Sequence, residues 1–465
     1  MREQCIINSL IKRKDDASVA LQDEKRSISY SELLGLLEIN ARRLKDNNEQ
    51  NIGVIAENSI EFVIAFLSVI YAGKTVVIIT NSNKGEKIIN ACDINTIFVG
   101  AEKTFQFEKA LTVFCTITES MAWIEQYKQD YHYDDNYIAV IMSTSGTTGE
   151  GNVIPILYKN LNKRIWYTNM HYPRNDGCKE LIIVPMHLTL GNQQQLLTAL
   201  YVGMHIYIYS GVYFPRKIVS IINEEIVDYV SFVPTMLGAF VNYLDEEKIL
   251  LNLKGIYIAG DTLQPELVGK TKEVLNHTSI YSAYGMTEIA PICIKKYNNK
   301  NRNENLSGVG KPIRGMQIKV VARKEQQGVE NVIGEICVKH SMIELERYSE
   351  DGWFHTGDIG YLAEDGEVVL CGRLKNMLIR NGYNIFPEII ERKISNCEMV
   401  KEAMVFMEQS KLIAKVVVEQ DIFEMAELIK YCKSKLEPAE IPCDFRIVDS
   451  IEKNESMKIV RRGAI

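Results

Sequence analysis

The sequence predicts an α/β protein, on three observations. Short β-branched runs alternate with helical patterns through the first two-thirds of the chain. From about residue 308 the pattern changes to strands and turns, and residues 376–465 form a mixed segment of their own. Alternation of the first kind argues for a large N-terminal domain of parallel-rich sheets flanked by helices. The second stretch reads as a small β subdomain closing it, and the third is long enough for a small α+β C-terminal domain.

In chain order, strands are expected at 52–56, 75–80, 96–99, 138–143, 181–185, 205–209, 229–233, 255–259 and 279–283, where β-branched and aromatic residues cluster between turn signals. Helical spacing falls between them, as at 159–171, 191–202, 215–226 and 265–275. The longest apolar run, Phe62 to Ala72, stops at Gly73-Lys74. It is too short to span a bilayer and reads as a buried helix. The polar stretch Lys295–Ser307 reads as a surface loop. The β subdomain is expected to contribute strands at 317–321, 332–338, 358–362 and 367–371.

Composition bounds the function. The 465 residues hold more than one core, about three domains by length alone. At 46% hydrophobic and 24% charged the chain is globular, and a net charge of -7 argues against a nucleic-acid coat or an anionic membrane surface. Ten cysteines without a Cys-x-x-Cys pair or a zinc spacing suit a reducing cytoplasm, with thiols as small core residues. Met1-Arg2-Glu3-Gln4 lacks the apolar core of a secretory signal.

The chemistry-bearing segment is Val140-Ile141-Met142-Ser143-Thr144-Ser145-Gly146-Thr147-Thr148-Gly149. A strand-like run feeds a loop of hydroxyls and glycines. Gly146 and Gly149 permit sharp turns and close ligand approach, and successive N–H groups in such a turn form an anion nest. No Gly-Lys-Ser/Thr follows, so it is not a Walker A loop.

Further segments follow in order: Tyr284-Gly285-Met286-Thr287-Glu288, Trp353-Phe354-His355-Thr356-Gly357-Asp358, Gly372-Arg373-Leu374-Lys375, Gly382-Tyr383-Asn384-Ile385-Phe386-Pro387-Glu388, and Ser456-Met457-Lys458-Ile459-Val460-Arg461-Arg462. Weaker matches include Tyr30-Ser31-Glu32-Leu33, Gly308-Val309-Gly310-Lys311-Pro312 and Gly334-Glu335-Ile336. With these motifs the chain resembles, over nearly its whole length, the adenylate-forming superfamily of acyl-CoA synthetases, carrier-loading adenylation domains and luciferases. It is closest in its motifs to acyl- or aryl-CoA ligases. The resemblance implies an adenylate-forming domain over 1–372, a mobile lid over 376–465 and a hinge at 373–375. It implies attack of a carboxylate on the α-phosphorus of ATP, with pyrophosphate release, and then transfer of the acyl group to a pantetheine thiol. Coenzyme A is the expected acceptor and a carrier protein the alternative; a nucleotide-binding regulatory homologue is a third reading.

The resemblance also assigns roles. Thr144, Ser145, Gly146, Thr147, Thr148 and Gly149 would hold the β- and γ-phosphates. Glu288 would ligate Mg2+, as a hard carboxylate suits a hard cation, with a hydroxyl from Thr144. Thr287 would touch the α-phosphate. Ala283, Tyr284 and Gly285 would meet adenine, and Asp358 and Arg373 the ribose or phosphates. Lys458 would stabilise charge developing in the transition state. Lys375 matches the hinge, Gly382 the thiol tunnel, and His187 and Gly260 the substrate pocket.

The chain departs from the family pattern at four positions. Asn152 stands where a loop lysine is usual, Met457 where a glycine, Glu452 where a proline and Asn376 where an aspartate. The segment after Pro185 is expected to line the acid pocket, and no acidic residue lies between Pro185 and Gly203. An α-amino acid's ammonium would be uncompensated there, so another carboxylic acid, aryl or alkyl, is expected. Gln193, Gln194 and Gln195 cannot all share one helix face, so at least one is expected to face solvent. One facing the pocket would favour a polar or aryl acid.

Overall fold

The computed structural model describes residues 5–44, 47–80, 83–100, 107–118, 134–143, 153–298, 306–322, 332–380, 383–419, 421–453, 459 and 461. Among these residues a nine-stranded and a six-stranded sheet carry the bulk of the chain. The larger one runs in the order Lys311–Pro312, Ile289–Tyr297, Ser279–Met286, Gly255–Ile258, Tyr229–Phe232, Lys179–Ile182, His205–Ile208, Val19–Gln22, Ser27–Ser29. Its centre is parallel and its edges close with antiparallel pairs. The six-stranded sheet is parallel through Thr112–Cys115, Thr96–Val99, Asn51–Ile55, Thr75–Ile79 and Ile138–Ser143, and ends on antiparallel Val153–Leu157. Buried on both faces, parallel strands read as continuous apolar runs, which is why their positions show in the sequence.

The apolar run beginning at Phe62 is a helix, Ile60–Tyr71, in which every residue but Glu61 is buried. Its packing against Tyr30–Arg42, whose start is fixed by a capping box between Ser29 and Glu32, joins it to the main core. Among the described residues no helix is long and apolar enough to cross a membrane. A four-stranded antiparallel sheet follows: Gln317–Ala322, Gly334–Lys339, Phe354–Leu362 and Val368–Arg373. A separate apolar cluster, from Ile385 to Leu436, lies under the sheet of Val400–Glu408, Lys411–Val418 and Asp444–Ile447.

Two expectations are corrected. The stretch Lys295–Ser307 does not begin as a loop: the Ile289–Tyr297 strand includes Lys295, whose ammonium is buried against Glu367 at 2.6 Å. Residues 299–305 of it lie outside the described residues. None of the three glutamines faces solvent: Gln193, Gln194 and Gln195 are all buried. The reason is geometric. Leu190–Leu197 is a π-helix, wider than an α-helix and enclosed all round. Gln193 accepts from Arg164 at 3.1 Å, Gln195 donates to the Leu181 carbonyl at 2.9 Å, and the Gln194 carbonyl accepts from Arg174 at 3.0 Å.

Arg174 also pairs with Glu180 at 2.5 Å, both side chains fully buried. Removing one partner of such a pair strands the other charge. Arg174→Met is therefore expected to destabilise the fold by about 3–5 kcal/mol, and Arg174→Met with Glu180→Met to recover much of that. Urea unfolding of both variants checks this; a double variant no more stable than the single would refute the stranded-charge account.

Candidate active site

A hairpin turn and a kink within a strand, from different sheets, build the site. The first closes the hairpin of Ser279–Met286 and Ile289–Tyr297, where Met286 pairs with Ile289, so that Thr287 and Glu288 are its two turn residues. This two-residue turn is held from behind by Arg164 of the Tyr158–His171 helix. The guanidinium donates to the Thr287 carbonyl at 2.9 Å and to the Glu288 carbonyl at 2.6 Å. Arg164 is fully buried, and burial pushes its pKa down to about 10, which leaves it charged at neutral pH. With its two backbone carbonyls fixed, the turn is free to present the Thr287 and Glu288 side chains outward. Gly285 fits beside it because a Cβ there would meet the Ala290 backbone at 3.1 Å.

The kink lies at residues 356–358, within the Phe354–Leu362 strand of the four-stranded sheet. Thr356 donates to the Ile336 carbonyl at 2.7 Å and accepts the Asp358 N–H at 3.0 Å. Between them Gly357 takes φ +70°, a left-handed conformation that suits glycine, and its N–H donates to Glu335 at 3.0 Å. Asp358 is buried, and Arg373 stands directly opposite it on the neighbouring strand, 2.7 Å from Oδ1. Tyr284, on the strand that leads into the hairpin turn, joins it to the kink by donating its hydroxyl to Asp358 Oδ2 at 2.7 Å. Burial, and then that carboxylate, raise the Tyr284 hydroxyl well above its ordinary pKa, so it stays a neutral donor.

A cavity of about 610 Å³ opens between the hairpin turn and the kink. Glu288, Glu335, Arg347, His355, Thr356 and Gly357 line it, together with Val153 and Met286. Val153 pairs with Ser143, so the hydroxyl- and glycine-rich segment between them is rooted at this cavity. Thr144, Ser145, Gly146, Thr147, Thr148 and Gly149 themselves lie outside the described residues, as do Asn152, Gly382, Met457 and Lys458.

Of the other residues picked from sequence, Ala283 precedes Tyr284 on its strand and is half-buried. His187 is half-buried before the π-helix, and Gly260 follows the Gly255–Ile258 strand at φ +100°. Lys375 lies in the short Leu374–Asn376 turn, where Asn376 donates to Glu388 at 2.5 Å. That bond gives the amide at the usual aspartate position a partner of its own. Glu452 is exposed. Near Lys458, the described Arg461 forks onto Glu391 at 2.8 and 2.6 Å and reaches the Val405 carbonyl at 3.2 Å. Lys453 and Ile459 form an isolated antiparallel bridge.

Arg164, Glu335 and Arg461 were not picked from sequence as functional residues. Arg164 carries no motif of its own. Its only signal is an arginine in a helix whose neighbours, Leu161, Ile165 and Thr168, are buried.

The donor set suits ATP and Mg2+. A carboxylate accepts about four hydrogen bonds. Asp358 receives one on each oxygen, from Tyr284 and from Arg373. Glu288 offers a hard carboxylate on the cavity wall.

The family model described as AMP-binding enzyme matches residues 11–345. The chain is 26% identical over 425 residues to the 2-succinylbenzoate–CoA ligase of Lactococcus lactis subsp. lactis, covering 90% of each. It is 25% identical over 480 residues to zwittermicin A synthase ZmaJ of Bacillus cereus, covering 96% of this chain and 91% of that one. Among solved structures, o-succinylbenzoate-CoA synthetase of Bacillus subtilis with its acyl-adenylate superposes at TM-score 0.83, with 23% identity over 98% of this chain and 97% of that one. The anthranilate-CoA ligase AuaEII superposes at 0.84 with 18% identity, covering 98% and 96%. These likenesses establish the fold.

Arg164→Lys keeps a positive charge but cannot bridge two carbonyls with one fork. Turnover in the adenylation expected from the sequence should fall on the order of 10²-fold, the scale of a small misplacement at a reacting centre. Steady-state pyrophosphate release, read beside the melting temperature, checks it. A folded variant with wild-type turnover would remove Arg164 from the site.

Proposed function

The chain belongs to the AMP-binding enzyme family, and from that premise we propose that it is an ATP-dependent acid–thiol ligase for an aryl carboxylic acid, acting in the cytoplasm. The observation that carries the reading is the meeting of Glu288 with Thr356 and Gly357 in one cavity at the root of the 144–152 segment.

In the first half-reaction a carboxylate oxygen of the acid attacks the α-phosphorus of ATP. The bond from that phosphorus to the bridging oxygen breaks, and pyrophosphate leaves with the electron pair. Asp358, steadied by Tyr284 and Arg373, holds the ribose. Thr144 to Gly149 cradle the departing phosphates, and Thr287 contacts the α-phosphate. Glu288, with Thr144, would hold Mg2+, which neutralises phosphate charge. Lys458 supplies a cation to the transition state. Arg461, three residues further along the chain, is held by its fork onto Glu391.

In the second half-reaction the sulfur of coenzyme A attacks the acyl carbon, AMP leaves, and the thiol proton passes to solvent. We take 1–372 as the adenylating domain and 376–465 as a lid that turns at 373–375, bringing Gly382 beside the incoming thiol. Relatives named 2-succinylbenzoate–CoA ligase and a structural neighbour named anthranilate-CoA ligase favour an aryl acid.

Magnesium-dependent ATP–pyrophosphate exchange over aryl, short alkyl, long alkyl and amino acids tests the proposal. Exchange with aryl acids is expected, followed by thioester formation on free coenzyme A. Exchange with another class alone overturns the aryl assignment, and a thioester formed only on a carrier protein overturns the acceptor. Lys458→Ala should slow exchange by roughly 10²-fold or more while ATP binding is retained; an unchanged rate would sink its role.

A further inference from the structure

We propose that Glu335, Cys337 and His355 form a binding site for a divalent cation of the zinc class in the four-stranded sheet. Glu335 and Cys337 lie two apart on the Gly334–Lys339 strand and so point to the same side, and His355 pairs directly with Cys337 across the sheet. One donor atom from each lies within 4.8 Å of the others. His355 Nδ1 is 2.9 Å from Glu335 Oε2 and 3.4 Å from Cys337 Sγ. Ligands on one tetrahedral zinc, at about 2.0–2.3 Å each, stand about 3.3–3.8 Å apart. The two sides of the triangle that meet at His355 are therefore within about half an ångström of that spacing, and the third lies within 4.8 Å.

The donor chemistry selects the cation. Nitrogen, sulfur and oxygen together suit a borderline-soft ion and not Mg2+, which demands oxygen. Coordination displaces the Cys337 thiol proton to water. A thiolate, a carboxylate and a neutral imidazole then balance the charge of a divalent ion. The surroundings are those of a metal-ligating histidine. Its other ring nitrogen, Nε2, lies 3.4 Å from Asp351 Oδ2, the carboxylate–histidine arrangement that orients such ligands. Glu335 keeps its other oxygen on the Gly357 N–H, which fixes the carboxylate in place. Lys319, opposite Cys337 on the far side, is neutralised by Asp351 at 2.9 Å. Because Glu335 and His355 also line the cavity, the ion would sit at its wall, apart from the oxygen site at Glu288.

Cobalt(II) titration of the full-length chain tests the site, since a cobalt–thiolate bond gives a charge-transfer absorption. One equivalent should produce that band, zinc should abolish it and excess magnesium should not. Cys337→Ser should lose the band, and Asp351→Asn should weaken cobalt binding on the order of 10-fold. Circular dichroism accompanies each variant. Should Cys337→Ser misfold, His355→Gln decides: loss of the stoichiometric band in a folded protein supports the site, and its retention overturns it. No band in the wild type, or a band that survives in folded Cys337→Ser through exposed Cys115 or Cys443, also overturns it.

Discussion

The site hangs on one buried cation. Among the described residues Arg164 has no carboxylate in hydrogen-bond contact; its guanidinium donates to two backbone carbonyls and one glutamine amide. A charge so placed is costly unless every nearby dipole points at it. Here that requirement organises three elements at once: the Tyr158–His171 helix that carries it, the π-helix that supplies Gln193, and the hairpin turn of Thr287 and Glu288. The Thr287–Glu288 turn and the segment expected to line the acid pocket therefore share one anchor, and disturbing either is felt by the other.

A second connection runs through Asp358. Its carboxylate takes a hydroxyl from one sheet and a guanidinium from the other strand of its own hairpin, so the large sheet and the four-stranded sheet meet at one buried acid. This is a charge-assisted arrangement with the donors fixed beforehand. Polar groups oriented in this way before any ligand arrives lower the cost of ordering them on binding.

Much of this was legible in the sequence, for identifiable reasons. Strands such as 96–99 and 138–143 appear where they were expected because a parallel strand buried on both faces is an unbroken apolar run. The Tyr284-to-Glu288 and Trp353-to-Asp358 segments were found because each role needs a particular side chain next to a glycine. The return strand Ile289–Tyr297 was missed, since Lys295 and Lys296 look like loop residues until Glu367 is seen to pair with the first. The glutamines were misread because helical-wheel reasoning assumes α-helical spacing and one wet face, and the π-helix has neither. Arg164 was invisible because its partners are main-chain carbonyls, which have no letter in a sequence. Glu335, Cys337 and His355 escaped spacing rules because a sheet, not a loop, brings them together.

The hairpin turn carries an evolutionary consequence. Thr287 and Glu288 occupy a two-residue connection between strands that hold one register from the Ile280–Tyr297 pair to the Tyr284–Cys293 pair, with a single shift beside the turn. A single residue inserted there would rotate the return strand by one position and exchange its faces. Along Ile289–Tyr297 Lys296 is the one exposed residue, and it would be driven into the core. Loop length at this point is therefore closed to drift. A lineage of such proteins can change which side chains stand at the turn, but it has no gradual path to a longer or shorter one, so diversification must be taken up in segments that connect to the site without setting a strand register.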